Sequence, residues 1–157
     1  MKEFKLAGYV KFFILVFLII MPVAVIGVLL TNQLKVEILV LIAILSVFAI
    51  YLLKVFIAIN KDTFKKIVID KTTGKILLIT AKQEVLALPF DNIAVINMAK
   101  GEVLRGIPVG HITIITRDEK AYGITISNID EFYVAAPKEV EQTLEDAMFY
   151  QPKWNNL

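Results

Sequence analysis

The sequence predicts a membrane-anchored α+β protein: a two-helix transmembrane hairpin, then an antiparallel sheet that curls over, with a C-terminal α-helix covering one open end. Three observations predict it. Two apolar runs, Phe12 to Leu30 and Ile38 to Ile59, are each long enough to cross a bilayer. Beyond Asn60, short segments of strand character separated by turn residues take over. The last segment, 137–150, spaces its apolar residues as a helix does.

The chain has 157 residues, of which 57% are hydrophobic, above the roughly half that is usual for a soluble domain. The excess lies before Asn60, which divides the chain into a hairpin over 1–59 and a polar domain over 60–157. Residues 1–59 carry five lysines against two glutamates, a net +3, and the remainder carries twelve bases against thirteen acids, a net −1. A nearly neutral polar half argues against nucleic acid as a partner, because phosphate binding needs a concentrated basic surface. The absence of cysteine excludes disulfides, thiolate chemistry and cysteine-ligated metal.

The first run, "FFILVFLIIMPVAVIGVLL", holds no charge. It exceeds the roughly 7 to 15 residues of a signal-peptide core, and "TNQLKVE" after it is a poor cleavage site. Pro22 and Gly27 are tolerated in a spanning helix. The second run has Lys54 as its only charge, near enough to its end to snorkel to the headgroups. Ser46 can bond back to its own helix. The short connection requires an antiparallel pair. Lys2, Lys5 and Lys11 precede the first span and Lys61, Lys65 and Lys66 follow the second, against Lys35 alone between them. The positive-inside rule therefore places both termini in the cytoplasm, in a multi-pass protein of the cell's inner (cytoplasmic) membrane.

In the polar domain "FKKIVID" (64–70) meets "KILLIT" (75–80) across a turn. There Gly74 can take a positive φ and Asp70 can bond to turn amides. "EVLALPF" (84–90) ends at Pro89, and "NIAVINM" (92–98) follows. Residues 99–110, with three glycines and a proline, are expected as a loop, and "HITIIT" and "AYGITIS" as a hairpin about "RDEK". In the expected final helix Pro137 takes the first position and Glu139 and Glu141 complement the dipole. Val140, Leu144, Ala147 and Met148 form its apolar stripe, with Leu144 at the centre.

A resemblance emerges from these pieces. Two membrane helices, the hairpin "IVIDKTTGKILLI", then "LPFDNIAVI", "GIPVGHITIIT" and the final "PKEVEQTLEDAM" resemble, in that order and over most of the chain, the bacterial pleckstrin-homology-like (PH-like) membrane proteins. The resemblance implies a PH-like roll of two antiparallel sheets with a C-terminal α-helix, its seventh strand supplied by "EFYVA" (131–135). It also implies a role in binding or assembly, and it carries over no catalytic residue.

The chemistry-bearing residues agree with a non-catalytic reading. His111 is the only histidine. It has no ligand partner two or four residues on, and Asp118 and Glu119 lie roughly 20 Å along the strand. A strand residue at the start of "HITIIT" is the expected role. Ser46 and Ser127 are the only serines, and no G-x-S-x-G is present. The acid pairs Glu141/Glu145 and Asp118/Glu119 fit a solvated helix face and a polar turn. "GEVLRG" lacks the lysine and hydroxyl of a phosphate loop. Lys71 and Lys75 are too sparse for an inositol-phosphate site. No catalytic residue, cofactor or metal is expected. Lys61, Lys65 and Lys66 are the candidate contacts to anionic lipid headgroups, and the same residues satisfy the positive-inside rule alone.

The expected function is that of a non-enzymatic integral membrane protein. It presents a cytoplasmic PH-like domain for protein–protein contact or assembly, self-association included. Two alternatives stand beside it: a self-immunity or resistance protein against membrane-active peptides, which the resemblance implies, and an accessory subunit of a transporter or membrane enzyme.

Overall fold

The computed structural model describes residues 1–30, 36–104 and 107–149. The chain forms two compact units, Gly8–Asn60 and a second made of Met1–Ala7 with Lys61–Leu157.

The first unit is a pair of helices, α1 (Gly8–Leu30) and α2 (Val36–Lys61). α1 starts before the run read from the sequence and ends with it, α2 extends beyond its run at both ends, and at 1.5 Å per residue they reach roughly 35 and 39 Å. Both are long and apolar enough to cross a membrane, and 6% of the most apolar stretch of each is buried. The less exposed positions recur at intervals of three and four: Val10, Ile14, Leu18, Met21 and Val25 on α1, and Ile42, Leu45, Ala49, Leu52, Val55 and Ile59 on α2. Each helix therefore has one covered stripe and an otherwise apolar, exposed circumference. Ser46 Oγ donates to Ile42 O at 2.8 Å, so this hydroxyl is satisfied within its own helix. Lys11 Nζ donates to Asn60 Oδ1 at 3.2 Å and joins the start of one helix to the end of the other.

The second unit holds two four-stranded sheets. The first runs β1 (Lys2–Lys5), β2 (Phe64–Asp70), β3 (Lys75–Thr80), β4 (Val85–Pro89), antiparallel throughout. The second is ordered β7 (Ala121–Ile126), β6 (Ile107–Thr116), β5 (Ile93–Leu104), β8 (Glu141–Phe149). A short helix α3 (Ile129–Ala135) follows β7. One core joins them: Phe4, Ile67, Ile76 and Leu78 of the first sheet, Ile96, Ile112, Ile114 and Ile124 of the second, and Phe132 of α3.

Turn chemistry fixes the hairpins. Asp70 accepts from Thr72 N at 3.1 Å and Thr73 Oγ1 at 2.7 Å, Gly74 takes φ +64°, and Phe90 N donates to Gly74 O at 2.9 Å. The Thr73 hydroxyl and the turn amides hold the Asp70 carboxyl below its usual range. At the β6–β7 turn Glu119 takes φ +62° and Lys120 pairs with Asp118 at 2.7 Å.

Four expectations are corrected. Residues 99–110 are not a loop: β5 continues to Leu104 and β6 begins at Ile107, with Lys100 opposite Gly110 and Glu102 opposite Pro108. Gly101 and Gly110 are strand positions, Gly110 one of close approach to Ile129, and Pro108 sits beside a register shift, where a missing N–H is tolerated. Arg105 and Gly106 lie outside the described residues, as do 31–35 of the connection between the helices.

"EFYVA" is helical, within α3. Asn128 stands at its N-cap with Asp130 and Glu131 in the first turn, a helix-start composition that alternation alone does not reveal. The final helix is absent over the described residues: β8 runs parallel to β5, so the second sheet is mixed. Helix propensities differ by only about 0.7 kcal/mol per residue among ordinary residues. The open edge of a twelve-residue β5 offers a ladder that outweighs them. Thr143 Oγ1 donates to Asn97 Oδ1 at 2.8 Å and pins the register. Tyr150 lies outside the described residues.

The fourth correction concerns Leu144, which is 39% exposed on β8 and not at the centre of a core. Leu144→Ala is expected to change stability by less than about 1 kcal/mol, the range of ordinary surface substitutions. Thermal melts of the full chain in detergent check this. A loss as large as that of Phe132→Ala would mean that β8 packs into the core.

Candidate functional site

The distinctive arrangement of this molecule is how the ends of the helical hairpin's flanking segments are held in the β unit. β1 precedes α1 and β2 follows α2, yet they are neighbours in one sheet, with Phe4 opposite Ile67 and Lys5 opposite Lys66. Both flanks are also tied to β7 and the residue after it. Ala7 N donates to Ser127 Oγ at 2.8 Å, and Ser127 N donates to Lys5 O at 3.3 Å. Thr125 N donates to Asp62 Oδ2 at 2.9 Å. Thr125 and Ser127 are buried, so these bonds satisfy groups that would otherwise be costly to bury. Ser127 thus holds the N-terminal segment in place.

His111 belongs to the same neighbourhood. It lies opposite Thr125 on β7 and Ala99 on β5, half-buried and well inside β6 rather than at its start. Its Nδ1 is 3.3 Å from Thr125 Oγ1. A Cβ at Gly123 would come within 3.1 Å of the ring, so this glycine gives the imidazole its room on the sheet. Among the described residues, no three His, Asp or Glu side chains converge as a metal-ligand set. Asp118 and Glu119 sit in the β6–β7 turn, at the other end of β6 from His111.

The three lysines singled out by sequence are distributed along the exit from α2. Lys61 ends the helix, and Lys65 and Lys66 open β2 at a register shift. The structure adds a partner set that the sequence did not suggest. Lys66 Nζ lies 2.7 Å from Glu3, and Lys5 Nζ lies 3.7 Å from the same carboxylate. The Lys66 hydrogen bond, with Lys5 assisting, holds the Glu3 carboxyl below its usual range. Lys2 does the same for Glu131, at 2.9 Å. Lys2 and Lys5 lie on a strand as well as marking the cytoplasmic flank expected from the sequence. The signal was the alternation in "KEFK", where Phe4 alone points into the core.

The site is a junction of strand pairing, capped backbone and paired surface charge. Such an arrangement holds and orients the segments that flank the helices. Comparison of the chain with protein-family models, curated proteins and solved structures finds no match.

Proposed function

We propose that the chain is a non-enzymatic integral membrane protein. Its two apolar helices cross the bilayer as a hairpin and hold the β unit at the cytoplasmic face of the cell membrane, where that unit makes protein contacts. The observation that carries the reading is the β1–β2 pairing across the hairpin. A chain that enters lipid after β1 and returns to pair β2 with β1 has both flanks on one side, as two crossings by helices of this length require. The exposed apolar circumference of α1 and α2 supports the same reading, because water would not tolerate it and lipid would. The lysine excess at both flanks selects the cytoplasm as that side. Lys61, Lys65 and Lys66 would face anionic headgroups there. The PH-like resemblance enters as a two-sheet domain with a contact role. The parallel β8 in place of a closing helix departs from that pattern.

The chain has no cysteine, so single cysteines report topology directly. In sealed cells, a membrane-impermeant thiol reagent is expected to label Gln33→Cys and to leave Asp118→Cys unlabelled until the membrane is opened. Labelling of Asp118→Cys in intact cells would reverse the orientation. Equal labelling of both would remove the crossing itself.

A further inference from the structure

The two sheets have different outer faces. On the second sheet the residues pointing away from the core include Asn97, Thr113 and Thr143, as a water-facing sheet requires. On the first sheet "IVI" of β2, "ILLI" of β3 and "LAL" of β4 are apolar on both faces. Ile67, Ile69, Ile76, Leu78 and Leu88 fill the core, and the intervening residues point the other way. Register aligns them in rows. Lys5, Lys66, Ile79 and Val85 form one row, and Glu3, Val68, Leu77 and Ala87 the next on that face. On this face Val68 is buried, Leu77 and Ile79 are half-buried, and Ala87 and Val85 are exposed, Val85 at 58%; β4 carries no charge along this free edge. Edge strands usually carry charge to avoid unwanted pairing, so an apolar edge continuous with an apolar face calls for a cover.

We infer that this outer face, with Ile79, Val85, Leu77 and Ala87 as its apolar part and Lys5 and Lys66 as its cationic part, rests on an anionic lipid interface. The inference builds on the membrane crossing proposed above. Three features select lipid as the occupant. Apolar and cationic groups share one row, matching the acyl boundary and the phosphates of a leaflet. Two lysines share the single Glu3 carboxylate, so the row keeps an excess of positive charge. Lys5 stands three residues before α1 and Phe64 three residues after α2. Three residues span at most roughly 11 Å, so the links from this end of the sheet to the proposed spans are short. A second copy paired along the β4 edge would leave Lys5 and Lys66, on β1 and β2 at the other side of the sheet, outside that contact.

The test uses the full chain with single cysteines carrying an environment-sensitive fluorophore, in vesicles of equal parts phosphatidylcholine and phosphatidylglycerol. Lipids spin-labelled at the headgroup or along the acyl chain serve as quenchers. A label at Val85→Cys is expected to be quenched about twofold by shallow spin labels, and a label at Val134→Cys, exposed on α3, to be unaffected. Quenching at Val85 should fall in phosphatidylcholine alone and in the Lys5→Gln/Lys66→Gln chain. A label at Val23→Cys within α1 reports the crossing itself through deep spin labels. Quenching at Val23 without quenching at Val85 overturns the inference and leaves the crossing intact, whereas no quenching at Val23 removes both. Equal quenching at Val85 in the two lipid mixtures overturns the anionic selectivity. A Val85 label that is shielded from water but not quenched, together with disulfide cross-linking between copies of the unlabelled Val85→Cys chain, assigns the face to a second copy instead.

Discussion

A chain lacking Met1–Ala7 is expected to lose the cooperative unfolding of its β unit while its two long helices stay formed. β1 has only four residues, but it supplies Phe4, which is 4% exposed and meets Phe132 edge-on at a centroid distance of 5.2 Å. Truncating a buried phenylalanine to alanine costs about 3 to 5 kcal/mol, and a small domain holds about 5 to 15 kcal/mol in all. Deleting the segment also frees the edge of β2 along the whole β1 ladder, and it takes away the Ser127 Oγ contact to Ala7 N and the Lys5 acceptor of Ser127 N.

Two chains without the apolar helices test this. The first is 61–157 alone. The second carries residues 1–7 joined to 61–157 by a short Gly/Ser linker. Thr125 and Ser127 are two residues apart on one extended segment, about 7 Å. Asp62 and Ala7 are bonded to these neighbours, so roughly six flexible residues suffice to join them. The linked chain should melt cooperatively, and 61–157 should not. Phe4→Ala in the linked chain should lower its melting temperature by well over 10 °C, given about 4 to 8 °C per kcal/mol for a domain of this size. Identical melts of the linked and unlinked chains would show that β1 pairing contributes nothing to the fold, and would take away the strand-pairing support for both flanks lying on one side.

The sequence made some of these features legible and hid others for identifiable reasons. The apolar helices, β2, β3, β7 and β6 from His111 onward follow from local signals: run length, alternation, and turn residues such as Asp70 and Gly74. β8 and α3 exchange their expected types. The stripe Val140, Leu144, Ala147 fits a helix, but the decisive fact is a distant one: β5 extends to Leu104 and leaves an edge to be filled. For α3 the signal was present, as Asn128 followed by Asp130 and Glu131. The Lys5–Glu3–Lys66 cluster required knowledge that residues some sixty positions apart are cross-strand neighbours, which no local pattern contains. The placement of His111 on a sheet was readable, whereas its position over Gly123 was not, because it depends on which residue of β7 stands diagonally across from it.

Gly110→Ala is expected to be among the most damaging single substitutions outside the aromatic core, although it adds one methyl group. Gly110 lies in β6 opposite Lys100 and Ile126, and its φ lies outside the left-handed region, so turn geometry does not require glycine there. Space does. A Cβ at this position would stand 2.5 Å from Ile129 Cβ and 2.6 Å from Ile129 Cγ1. Ile129 is the first residue of α3 and is itself buried, so relief requires the helix to move off the sheet rather than a side chain to rotate. Overpacking of this kind costs about 1 to 3 kcal/mol, or roughly 5 to 20 °C in melting temperature for a domain of this size. Gly123→Ala is the matched control. Its new Cβ would meet only the far end of the His111 ring, at 3.1 Å, and a small ring rotation would accommodate it. That change should stay within about 1 kcal/mol. The double substitution Gly110→Ala, Ile129→Ala should not rescue stability, because Cβ of residue 129 is the nearest atom and remains. Full rescue would locate the conflict in the Ile129 side chain alone, and equal melting of Gly110→Ala and the parent would mean that α3 does not sit as close to β6 as this packing requires.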